Sequence, residues 1–199
     1  MICEKVNNTK ADEFVEASIK VHGMEDFNKK IDFLHSKNGF RRTFNDKPIA
    51  IPYSLAFIYK EALNSVLYFF ILPYVLKDKG AIKTLKDIEK IKVVIYQKME
   101  VNFTEKDGGV DFQDNFLYWI NKKRKTLDYL AYLYHTNKGG VCFRVAISRR
   151  TMDGVVFQDY ENYSVPKNTP LDELYKLYKK GELELFSMIE SNSIRILKP

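Results

Sequence analysis

The stretch from Asp111 to Arg150 constrains the fold more than any other. It reads DFQDNFLYWINKKRKTLDYLAYLYHTNKGGVCFRVAISRR. Asp111 carries the short acceptor side chain of an N-cap, and Asp114 adds negative charge where a helix dipole favours it. Phe116, Ile120, Leu127, Leu130, Ala131 and Tyr134 recur at helical spacing, and Asn137 with Gly139 offers a stop. The spacing predicts a helix from about Phe112 to Asn137. One feature disturbs it. Lys122, Lys123, Arg124 and Lys125 are consecutive, so they point nearly all round the axis and Lys123 falls inside the apolar stripe. Either Lys123 snorkels along apolar surface, or it is a cation facing a cleft as an anion ligand.

Beyond Gly140, Val141, Phe143, Val145 and Ile147 alternate with Cys142, Arg144, Ala146 and Ser148, the period of a strand. Asp153-Gly154 is a two-residue hairpin turn that joins it to Val155–Ser164. With that turn Met152 faces Val155, Arg150 faces Phe157, Ala146 faces Glu161 and Arg144 faces Tyr163. One face of the hairpin then gathers Arg144, Arg150, Asp159, Glu161 and Tyr163.

The remaining elements follow from caps and periodicity. Thr9 with Asp12 starts a helix that runs to Gly23, and Met24, Phe27, Ile31 and Leu34 form a second. Phe40–Phe44 and Ile49–Ile51 flank a turn at Asn45–Pro48. Leu55 to Leu76 is the most apolar segment and predicts a central core helix, with a core strand over Val66–Leu72 as the alternative; it is too short and Pro73-interrupted for a membrane span. Thr84 opens a short helix, TLKDIEK. A long strand covers about 91–103, bulged near Gln97. Strand, helix and strand in that order suggest a crossover with parallel neighbours, to which the hairpin adds an antiparallel member. Thr169-Pro170 starts a helix that Gly181 ends, Leu183–Ile189 forms another, and Ile194–Leu197 is a last edge strand. The expectation is one α+β domain over 1–199. Its mixed, mainly antiparallel sheet, with the long strand at 91–103 and the hairpin at 141–164, packs against several helices including 112–137.

Chemistry is sparse. The serine-hydrolase elbow, the P-loop, the dinucleotide fingerprint and paired zinc histidines are absent from the sequence. Cys3 and Cys142 form no framework, and no cofactor or metal is implied. The N-terminus lacks a signal-peptide layout, so a cytoplasmic, non-membrane protein is expected. A net charge of +6 and a pI near 9.1 favour an anionic partner.

The leading expectation is a non-enzymatic binding protein that meets nucleic acid or an anionic protein surface. Lys122, Lys123, Arg124, Lys125, Arg144, Arg149, Arg150 and Tyr163 would carry the contact, since arginine forks phosphate and tyrosine stacks on bases. A protein-interaction or inhibitor module is the first alternative. The second is a small Mg²⁺-dependent nuclease using Glu100, Glu105, Asp107 and Asp111 with Lys98 or Lys106 nearby.

Overall fold

A computed structural model describes residues 9–22, 42–44, 47–106, 112–136, 138–192 and 194–195. Helix α1 (Thr9–Val21) is followed by a small ribbon, β1 (Arg42–Phe44) and β2 (Lys47–Ile49). Helix α2 (Tyr53–Phe70) leads through a 3-10 turn at Tyr74–Lys77 into β3 (Ala81–Ile91), β4 (Val94–Phe103), β5 (Asn115–Asn121) and β6 (Leu127–Tyr134). The chain continues with β7 (Gly140–Met152), β8 (Val155–Val165), a 3-10 turn at Leu171–Glu173, α3 (Leu174–Lys180) and β9 (Glu184–Ile189). Strands β3 to β9 lie side by side in chain order as one seven-stranded sheet, every neighbouring pair antiparallel. The architecture is α+β with no parallel crossover among the described strands.

The predicted helix over 112–137 is therefore corrected to the hairpin of β5 and β6. Phe116 to Ile120 is an unbroken run of five apolar residues, all buried. Phe116, Tyr118 and Ile120 enter the core beneath α1 and the end of α2, whereas Leu117 and Trp119 enter a second core beneath α3. A strand covered on both faces shows such a run; a helix would turn part of it to water. Each large side chain buried there contributes about 1.5–3 kcal/mol. The four cations are the turn. Asn121 Oδ1 accepts from the Lys123 and Arg124 amides at 3.1 and 2.9 Å, and Lys125 takes a left-handed φ of 60°. Asp114 caps no helix. It accepts from the His135 amide at 3.0 Å, across the open end of the hairpin.

Other expectations shift by similar physics. TLKDIEK lies within β3, an edge strand whose charges suit an exposed edge. The long strand at 91–103 resolves into the end of β3, a turn at Lys92, and β4. A bulge does lie beside Gln97, but on β3 between Leu85 and Ile88, where Gln97 Nε2 donates to the Lys86 carbonyl at 2.6 Å. Leu183–Ile189 is mainly β9, the other edge strand, rather than a helix. The helices starting at Thr9 and after Pro170 are present, the latter closed by Gly181 at φ 73°. The helix expected at 24–34 and the strand at 194–197 fall wholly or mostly outside the described residues.

Helix α2 is not the central core helix. Its last turn, with Tyr68, Phe69 and Phe70, packs against the sheet core, while Tyr53, Phe57, Ile58, Leu63 and Val66 are exposed. Among the described residues no helix is long and apolar enough to cross a membrane.

Candidate functional site

Between the C-terminal half of α2 and the sheet face that carries Phe116, Tyr132 and Tyr160 lies a cavity of about 1100 Å³. Its formation follows from the two segments that surround it. The Phe69 ring of α2 lies 5.0 Å from that of Tyr132 of β6, tilted against it by 41°, and Tyr68 sits 5.4 Å from Phe116 of β5. The Tyr68 and Tyr118 hydroxyls lie 2.7 Å apart. These contacts anchor one end of α2, and the space beside them is not filled by side chains of the described residues. Exposed Phe57, Val66 and Phe186 line its mouth.

Two charged side chains are buried in that wall: Asp114, which accepts from the His135 amide, and Arg144. Arg144 of β7 stands between Leu130 of β6 and Asn162 of β8 and is 8% exposed. Its guanidinium carbon lies 3.7 Å from the Phe69 ring centre and 5.2 Å from that of Tyr132. Nη2 donates to the Tyr132 hydroxyl at 2.9 Å and Nε to Asn162 Oδ1 at 3.3 Å. Asn162 Nδ2 donates in turn to Ser187 Oγ, which fixes the amide with its oxygen toward Arg144. Burial raises the pKa of Tyr132, with Arg144 opposing. Burial also pushes Tyr160 up to about 12, against Gln158, Arg144 and Arg149. Both phenols are neutral at pH 7, so neither balances the arginine. No described carboxylate forms an ion pair with it.

The other cations expected at a site have partners or stand apart. Asp128, 6% exposed, occupies the bulge of β6 and collects donors from four side chains at 2.7–2.9 Å: Thr126, Arg149, Arg124 and Tyr96. Burial alone would raise its pKa. The Thr126 and Tyr96 hydrogen bonds and the charges of Arg149 and Arg124 together outweigh that and hold it below the ordinary value. Arg124 and Arg149 thus do converge, around an acid. Arg150 forks onto Asp159 and also donates to the Ser191 carbonyl, tying down the segment after β9. Lys125 Nζ sits 4.4 Å over the Phe14 ring of α1, and Lys123 is exposed at the turn. Tyr163 lies in the other core beside Tyr178 and donates to Glu161 at 2.8 Å.

The hairpin face expected from a simple register is thereby redrawn. Met152 does face Val155 and Arg150 faces Phe157, but a bulge between Ala146 and Arg149 moves Ala146 opposite Tyr160 and Arg144 opposite Asn162. Arg144 turns into the cavity and Tyr163 to the opposite side of the sheet.

The acids of the nuclease alternative do not meet among the described residues. Glu100 pairs with Lys86 at 3.3 Å and Glu105 is exposed, while Asp107 and Asp111 lie outside the described residues. No group of three potential metal ligands occurs among the described residues. Asn162, Gln158, Tyr132 and Phe69 were not singled out from the sequence. A usable signal was the Phe116–Ile120 run before a polar turn, which marks a hairpin and brings Tyr132 beside β7.

The chain belongs to the DUF6503 family, a family of unknown function whose model matches residues 27–191. Comparison with curated proteins and with solved structures finds no match.

Proposed function

We propose that this DUF6503 protein is a binding protein whose partner is a largely apolar small molecule held in the cavity between α2 and the sheet. The observation that carries this is the cavity itself. At about 1100 Å³ it is as large as the roomiest small-molecule sites, and it combines a largely aromatic wall with polar groups such as Arg144, Asn162 and Gln158. Exposed Phe57, Val66 and Phe186 at the mouth suit the passage of an apolar molecule, which would cover them. Nile red, a neutral apolar dye, tests the reading. Its fluorescence should rise on titration with the protein. Cys142→Trp, filling the space from β7, or Ser65→Trp, filling it from α2, should suppress the rise. No enhancement with the natural chain, or equal enhancement in folded filled variants, contradicts it.

A polyanion laid over the β5–β6 turn is the second reading, favoured by exposed Lys123 at its tip. Arg124, Arg149 and Arg150 are already bonded to carboxylates, so Lys122, Lys123 and Lys125 would have to carry it. Binding to short DNA or RNA that falls steeply with salt supports this surface, and no binding at low salt removes it.

A further inference from the structure

Of the arginines at 124, 144, 149 and 150, Arg144 is the most buried and the one without a carboxylate partner among the described residues. Two of its five N–H groups are used, by Tyr132 and Asn162. The remaining three have no acceptor among the described residues. A buried cation is strongly disfavoured unless something matches its charge, and aromatic faces such as Phe69 and Tyr132 offset only part of that. The residues around it hold the guanidinium in one place with hydrogen bonds and ring contacts, yet leave donors pointing at space a ligand can reach.

We infer that the molecule held in the cavity is a monoanionic amphiphile, an apolar body ending in one carboxylate, and that Arg144 receives that carboxylate. This rests on the cavity being a ligand site. The planar fork of a guanidinium matches the two oxygens of a carboxylate through paired hydrogen bonds. One positive charge balances one negative charge. A second would meet like charge, because Asp114, buried in the wall and bonded to the His135 amide, and the exposed Asp78 and Glu190 also line the cavity. Phe69 and Tyr132, which clamp the guanidinium, present the apolar surface against which the adjoining carbons of the ligand lie.

The test uses the full chain with Nile red bound and two competitors of equal length, dodecanoate and the neutral dodecanol. Dodecanoate should displace the dye at a concentration about tenfold lower than dodecanol, the scale of one charge-assisted contact. Arg144→Gln should bring the two within about twofold while Nile red still binds, and Arg144→Lys should keep part of the preference. Arg144→Met, apolar and of similar length, serves should the glutamine variant not fold. Equal displacement by the two competitors with Nile red bound overturns the carboxylate inference and leaves the cavity reading standing. A dodecanoate preference that survives the loss of Arg144 also overturns it. Failure of Nile red to bind overturns both.

Discussion

Arg144 and Arg149 stand a short way apart on one strand, in opposite surroundings. Arg149 donates to the Asp128 carboxylate at 2.7 Å, to the Leu127 carbonyl at 2.9 Å and to Gln158 at 3.1 Å. Arg144 meets two aromatic faces, a phenol and an amide. The bulge between Ala146 and Arg149 separates the two environments. The difference teaches that position along a strand says little about what a cation is for. A guanidinium whose charge is matched inside the fold closes structure, and one buried without an acid is available to a ligand.

The largest effect should come from the matched side. Asp128→Ala leaves Arg149, Tyr96 and Thr126 without their shared acceptor and should cost about 3 kcal/mol, read as a lower urea midpoint. Arg124 is over half exposed and adds little to that figure. A loss below about 1 kcal/mol would erase the distinction between the two arginines.

A pH scan sharpens the comparison next. His22 is fully buried at the end of α1, and neither ring nitrogen has a well-formed hydrogen bond among the described residues. Burial first, then the charge of Arg149, lowers its pKa to about 4. In the unfolded chain it protonates near 6.5, so between those values the unfolded state binds the extra proton. Stability should hold above about pH 6.5 and fall by roughly 3 kcal/mol as pH drops toward 4. His22→Leu should flatten that slope. Asp128, whose pKa is depressed, acts in a separate window below its ordinary value. A slope unchanged in His22→Leu would assign the acid sensitivity elsewhere.

Smaller effects belong to the remaining arginines. Arg150→Ala removes the fork on Asp159 and the tie to Ser191, and should cost about 1 kcal/mol with faster amide exchange in 184–191. Arg144→Met should change the stability of the ligand-free protein by less than about 1 kcal/mol in either direction, since an apolar residue replaces a cation with no acid partner. A large destabilisation there would make Arg144 a second structural clasp.

Parts of this fold were legible in the residues. Asp153-Gly154 fixed the β7–β8 turn, and Thr9 and Pro170 marked helix starts that the structure has. The hairpin of β5 and β6 is hidden in the sequence because Phe116, Ile120, Leu127 and Leu130 satisfy a helical period by accident. A strand buried on both faces has no period of its own. The run Lys122–Lys125 was the contrary signal, since four consecutive cations fit a turn better than a packed helix. Arg144 stood out as a candidate, but on an outer face. Only the bulge beyond Ala146 and the arrival of α2 over the sheet put it in a cavity, and neither follows from local pattern. The exposure of α2 shows the limit plainly: its composition reads as core, and its burial depends on what the rest of the chain places beside it.

The most direct measurement is thermal unfolding of the natural chain and of Arg144→Met, each with and without dodecanoate. At a hundredfold excess over its dissociation constant, a ligand that binds only the folded state adds about 2.7 kcal/mol, raising the Tm of a chain this size by roughly 5–10 °C. The account predicts that rise for the natural chain and at most a small fraction of it for Arg144→Met at the same concentration. Equal shifts in the two proteins, or no shift in either, would contradict it.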